Sequence, residues 1–308
     1  MNEYIDFKEK CLSGEPVFLD GAMGTYIQQL GGDLFGAKNN LEHPDLVRRV
    51  YDDYIAAGSR VLNTNTFSLN DIYMAKKEFG LDAMDLSLNR AVEIACEAAA
   101  NGPEKIHVLG GFGPCGELFM RGRSKNYENE QVVASYMAQA ETMSKYPISG
   151  FLLETFFDLT ETGLVVEACK NVNPDLPIIM SLTFATANKG GATLMGNRSA
   201  QIAAWANDND IFAVGANCGD LTPLEYAGII REYRDNTAKP LMIEPNAGMP
   251  VLDGNGEAQY PMKADEFATQ MVECYRAGAR ILGGCCGTDP THIRALVEAI
   301  WREKEKEK

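Results

Sequence analysis

Short apolar runs recur along this chain, each closed by a polar residue or glycine and followed by a longer stretch with helical spacing. The first, Val17–Gly21 (VFLDG), ends in Asp20 and Gly21, and the AMGTYIQQLGG after it predicts a loop and a short helix. Pro44–Ala57 puts Leu46, Val47, Val50, Tyr54 and Ile55 on one helical face and stops at Gly58. The alternation goes on through predicted strands at Arg60–Phe67, Lys105–Gly110, Gly150–Thr155, Pro177–Phe184, Ile211–Cys218, Lys239–Glu244 and Ala279–Gly283. Helices are predicted at Leu81–Ala100, Glu128–Tyr146, Leu159–Val172, Ser199–Asn207, Pro223–Asp235, Ala264–Ala277 and Thr291–Arg302.

Eight strand–helix units result. Strands that are apolar almost throughout belong to a parallel sheet covered on both faces. The expected fold is therefore α/β, a single (β/α)8 TIM barrel forming one domain over residues 1–308. An open doubly wound sheet is the alternative, but the first strand–helix turn lacks a GxGxxG loop. The tail after Trp301, REKEKEK, reads as a frayed helix end.

Composition narrows the function. The formal charge of -15 argues against nucleic acid or an anionic membrane surface as partner, and suits a small zwitterion or cation. MNEYIDFKEK has no apolar core of a secretory signal, and no apolar run is long enough to span a bilayer. Eight cysteines in a chain this long do not form a small disulfide scaffold. A cytoplasmic protein with free or metal-bound thiols is expected.

The chemistry collects at Gly283–Pro290 (GGCCGTDP), where a strand runs into two adjacent cysteines between glycines. Adjacent cysteines rarely bridge each other, because the small ring strains the disulfide. In a barrel the carboxyl ends of the strands form the active face, here Asp20, Asn63–Asn65, Cys115, Glu154, Phe184, Cys218, Glu244–Asn246 and Cys285–Cys286. Cys218 ends the sixth strand and the cysteine pair ends the eighth, two strands apart on one rim. Three thiolates with one open position are the pattern of catalytic zinc, and soft sulfur selects that metal. The bland alternative is small buried apolar residues. That alternative is the reading taken for Cys11, Cys96, Cys169 and Cys274, while Cys115 lies in the glycine-rich rim loop. His43, His107 and His292 read as structural, since none pairs with a cysteine. No lysine stands at an active strand end and there is no GxSxG elbow, which weakens Schiff-base and serine-nucleophile readings.

The set DGAMGT (Asp20–Thr25), NC (Asn217–Cys218), PNAG (Pro245–Gly248) and GGCCGTDPTHI (Gly283–Ile293) resembles the homocysteine S-methyltransferase family. It is most similar to the homocysteine-binding barrel of cobalamin-dependent methionine synthases, over essentially the whole chain. The resemblance implies Zn2+ held by Cys218, Cys285 and Cys286, with Asn246 filling the fourth position before substrate arrives. It implies that Asp20 and Glu154 meet the amino group of homocysteine, with Asn217 alongside. The backbone around Gly21, Ala22, Met23, Gly24 and Thr25 would meet its carboxylate. Without the resemblance, Asp20 and Glu154 read equally as a turn cap and a surface ion pair. The chain departs from methionine synthases at Asn63, where they usually carry an acid, and in GFGPCG.

The implied activity is zinc-dependent methylation of homocysteine or a similar thiol, giving methionine. The chain has no DxHxxG corrinoid-ligating motif, so a methyl-corrinoid is expected on a separate protein. The alternatives are a diffusible donor, S-methylmethionine or betaine, and a thiol-binding module inactive alone. A betaine site would need an aromatic cage, for which Phe67, Phe112, Phe119, Phe156 and Phe157 stand in strand-end loops.

Overall fold

The computed structural model describes residues 3–307, apart from 34, 78–79, 121, 186–190 and 255–257. Eight parallel strands form one sheet: β1 (Val17–Phe18), β2 (Val61–Asn63), β3 (His107–Phe112), β4 (Gly150–Phe156), β5 (Ile178–Leu182), β6 (Ala213–Cys218), β7 (Leu241–Pro245) and β8 (Ile281–Leu282). Their ladder order is β1-β8-β7-β6-β5-β4-β3-β2. The seam between β1 and β2 is bridged by Arg60 N–H donating to Phe18 O at 2.8 Å, and Ser59 Oγ donates to Leu19 O at 2.9 Å. Helices between the strands pack outside, so the expected TIM barrel is what the chain forms.

Two apolar shells result from the two faces of each strand. Inside the barrel, Val17, Leu19, Val61, Leu109, Leu152, Ile179, Ala213, Met242 and Ile281 pack together. Helix Glu3–Leu12, which the pattern did not predict, adds Phe7 and Cys11 to this cluster and closes the amino-terminal end of the barrel. Two residues further along each strand, the inward face changes character: Asn63, Gly111, Glu154, Ser181, Gly215, Glu244 and Gly283. A polar, glycine-rich layer thus roofs an apolar one, and it lies at the carboxyl ends.

Two local expectations change. The predicted strand Arg60–Phe67 stops at Asn63, because side chains in NTNTF capture backbone groups that a ladder would use. Thr66 Oγ1 donates to Gly111 O at 2.6 Å, and Asn65 Nδ2 donates to Gly36 O at 3.0 Å. The carboxyl-terminal tail is not a frayed end: the last helix runs Pro290–Glu305, with Arg276 Nε donating to Glu303 Oε1 at 2.7 Å and Lys304 paired with Glu15. Two small hairpins also rise from the active-face loops, Phe119–Met120 with Arg123–Ser124 and Val251–Leu252 with Ala258–Gln259. Among the described residues, no helix is long and apolar enough to cross a membrane.

Candidate active site

The register of the last strands sets up the sulfur cluster. Asn217 pairs with Glu244 and Cys218 with Pro245 across β6 and β7, and β8 lies on the other side of β7. At the end of β6 the backbone turns through two left-handed residues, Cys218 (φ 56) and Gly219 (φ 69). A Cβ on Gly219 would stand 2.4 Å from Phe184 O, so only glycine follows the cysteine there.

The loop after β8 is stitched to its neighbours. Cys285 N–H donates to Pro245 O at 2.9 Å, and Ala247 N–H donates to Cys286 O at 2.9 Å. Thr288 Oγ1 donates to Cys285 O at 2.7 Å and accepts from Ala22 N–H at 3.1 Å. Gly287 N–H donates to Thr25 Oγ1 at 3.0 Å. Gly21 has room for no side chain, since a Cβ would lie 2.8 Å from both Thr288 Oγ1 and Tyr54 Oη. The first loop, Gly21–Thr25, is thereby locked to the cysteine turn, with Met23 capping helix Gly24–Gln29.

The result is that the sulfurs of Cys218, Cys285 and Cys286 all lie within 4.8 Å of one another. Hydrogen bonds from Cys218 and Cys285 push the Cys286 thiol down to about 3, while contact with Cys218 pushes Cys285 well up. Three partly buried sulfurs this close repel one another once charged, and a divalent cation would let all three ionise. Asn246 is buried beside them: its Nδ2 donates to Gly219 O at 2.7 Å, and its Oδ1 has no hydrogen-bond partner among the described residues. Three soft sulfurs with one uncommitted oxygen are a donor set suited to zinc.

Asn217 fixes the cluster from inside the barrel. Its Oδ1 accepts from Thr155 N–H at 2.9 Å and Ser181 Oγ at 2.8 Å. Its Nδ2 donates to Thr155 Oγ1 at 2.8 Å and to Cys285 Sγ at 3.9 Å. Thr155 needs that support, because it is left-handed (φ 65) at the irregularity in β4.

Three carboxyl groups stand at the same end of the barrel, and Glu154 is near enough to Cys286 to feel its charge. Asp20 Oδ2 accepts from Asn63 N–H at 3.0 Å, and Glu154 Oε1 accepts from Asn63 Nδ2 at 2.5 Å. Burial pushes Asp20 well above the usual carboxylate range, against the Asn63 bond and with help from the Glu154 charge. Burial also raises Glu154 to about 7. Glu244 is pushed well up by burial, then by Glu154 and Asp20. Neither Asp20 nor Glu154 is a surface ion pair.

Sequence reasoning passed over several neighbours. Glu244 stands among the active-face strand ends of the sequence, with no role attached to it. Tyr260 reaches Cys286 through its hydroxyl and lies directly over Gly287, where a Cβ would be 2.2 Å from the tyrosine ring. Neither Tyr260 nor Thr155 had a spacing signal, because each depends on a loop path or an irregular backbone. The structure leaves Cys115 out of the cluster: it is fully buried, and its N–H donates to Glu161 Oε1 at 2.7 Å. Cys11, Cys169 and Cys274 are buried elsewhere as expected. His107 pairs with Ser149 Oγ at 3.0 Å inside β3, and His292 closes the cap on Asp289 and holds Met262 O at 3.0 Å. Phe112, Phe119 and Phe156 are buried in the outer core, so they are packing residues.

The family profile for homocysteine S-methyltransferase matches residues 17–300. The methionine synthase of Mycobacterium leprae is 29% identical over 299 residues, covering 92% of this chain and 24% of that protein. The Mycobacterium tuberculosis methionine synthase is 28% identical over 305 residues, covering 94% and 25%. The chain therefore spans about a quarter of the length of these relatives. Among solved structures, the metallated form of the homocysteine methyltransferase MmuM from Escherichia coli superposes with a TM-score of 0.76 at 22% identity, covering 96% of this chain and 99% of that one. With its barrel, its rim of cysteines and a profile match over nearly all its length, this chain belongs to the homocysteine S-methyltransferase family.

Proposed function

We propose that this barrel methylates the sulfur of homocysteine, giving methionine, with Cys218, Cys285 and Cys286 holding one zinc ion. The observation that carries the reading is the convergence of three sulfurs within 4.8 Å, with the Glu154 carboxyl near enough to feel the Cys286 charge. Zinc, when bound there, supplies the Lewis acidity that brings a thiol of ordinary pKa about 8.5 to its thiolate form at neutral pH. Asn246 Oδ1, otherwise unpartnered, is suited to the fourth position before substrate arrives.

The chain's own residues do the positioning. Asp20 and Glu154 attract the substrate ammonium, and the loop Gly21–Thr25 faces its carboxylate. Asn217 holds Cys285 and the Thr155 turn in place, so the cluster is organised before substrate enters. The polar layer of β2, β4 and β7 makes the floor, and the apolar interior beneath it excludes water. The substrate sulfur uses a lone pair to form the bond to the methyl carbon. The bond from methyl to donor breaks with its electrons leaving on the donor, and the thiol proton has already gone to solvent.

The donor we propose is a methyl-corrinoid carried by a protein unit outside these residues. Support comes from the methionine synthases, of which this barrel is about a quarter. The active face also bears exposed apolar side chains on its loops: Leu118, Met120, Leu194, Met249, Val251 and Leu252. A diffusible donor such as S-methylmethionine or betaine is the second reading, favoured by the match over 99% of MmuM, a homocysteine methyltransferase no larger than a barrel. Incubating the zinc-loaded chain with homocysteine and, in turn, methylcobalamin, S-methylmethionine and betaine separates them. Methionine formed rapidly from a small donor supports the second reading. Methionine formed only when a methylated corrinoid protein is added supports the first. A chain that binds no zinc removes both.

A further inference from the structure

Glu244 differs from the other buried acids of the chain. Glu117 is compensated by Lys76, Ser124 and Asn126, and Glu161 by Cys115 N–H and Tyr136 Oη. Asp20 and Glu154 share Asn63. Glu244 is 5% exposed, and no described residue donates a hydrogen bond to it or forms an ion pair with it. Its electrostatic neighbours are two more acids, Glu154 and Asp20. A buried carboxyl without a donor, facing like groups, costs stability and is retained where a ligand supplies the missing partner.

The fold aims it at the same space. Met242 faces the barrel interior and Ile243 the outer core, so Glu244 points inward at the level of Asn217, its partner across the ladder. Gly283 leaves room for it on β8: a Cβ there would stand 3.1 Å from Glu244 Oε1 and 2.9 Å from Asp20 O. Across the barrel Gly111 does the same for Asn63, whose Oδ1 is buried and without a hydrogen-bond partner among the described residues. The layer thus offers uncommitted acceptors from β2 and β7 and no cation of its own.

We infer that Glu244 is a specificity-determining residue that grips the substrate ammonium together with Asp20 and Glu154, selecting amino thiols over thiols without an amino group. An ammonium has three N–H donors and one positive charge, the two things this cluster lacks. The inference deepens the homocysteine reading and rests on it.

The test is calorimetric titration of homocysteine and of 4-mercaptobutanoate, the same skeleton without the ammonium, into zinc-loaded wild type and Glu244→Gln. Glu244→Gln is expected to weaken homocysteine binding about ten- to hundredfold while 4-mercaptobutanoate binding and zinc content stay unchanged. Glu244→Asp should fall between the two. Unchanged homocysteine affinity in a zinc-replete variant overturns the inference, and so does an equal loss for both thiols. If wild type binds neither thiol, the homocysteine reading itself falls and takes this one with it.

Discussion

Asn63 Nδ2 stands 2.5 Å from Glu154 Oε1, so an amide on β2 reaches past β3 to a carboxyl on β4. The reach is possible because the residue between them is Gly111, where a Cβ would lie 2.5 Å from Asn63 Oδ1. Asn63 thus gives the acid on β4 a hydrogen-bond donor from inside the barrel. That bond holds the Glu154 carboxyl below where burial alone would put it.

Homocysteine affinity should therefore rise with pH as Glu154 ionises and attracts the ammonium. Asn63→Ala removes the bond that lowers Glu154, so the rise should move to higher pH. Titration calorimetry across the neutral range checks both, and an unshifted profile in the variant would remove Asn63 from the site.

Stability of the metal-free protein should run the opposite way. Glu154 is raised in the folded state from 4.5 to about 7, so its contribution is fully present below 4.5 and lost as pH rises through about 7. The loss is on the order of 3 kcal/mol for this group, and Glu154→Gln should reduce the slope, with Asp20 and Glu244, both also raised by burial, keeping part of it. Urea denaturation at a series of pH values measures the slope.

Metal analysis of purified wild type should find about one zinc per chain. Cys218→Ser, Cys285→Ser and Cys286→Ser should each lose most of it, since each removes one of three converging sulfurs. Cys115→Ala should keep it. In the native protein Cys115 should also resist iodoacetamide, because burial and Glu161 push its thiol well up and no solvent reaches it.

Asn217→Ala should unsettle two things together. Thr155 N–H and Ser181 Oγ lose their acceptor, costing about 1–3 kcal/mol in denaturant unfolding. Zinc affinity should fall about ten- to hundredfold as Cys285 loses its neighbour, read by competition with a chromophoric chelator. Unfolding changed without a change in zinc affinity would confine Asn217 to the scaffold.

What the sequence by itself determined was the order of eight strands and eight helices, and the residues at the strand ends. These follow from short-range patterns: apolar runs, helical spacing and the glycines that end them. The cysteine pair at Cys285–Cys286 and the acids Asp20 and Glu154 could be picked out because strand ends are local features. Tertiary structure alone decided what those ends meet. Closure with β6, β7 and β8 in succession brings Cys218 to the pair, and the period-two inward face stacks Glu244 against Asp20 and Glu154. It also decided that NTNTF turns instead of extending, that Glu3–Leu12 plugs the barrel, and that Cys115 is walled off by Glu161. Such outcomes depend on groups far apart in the chain competing for the same hydrogen bonds and the same space, which no local window of sequence contains.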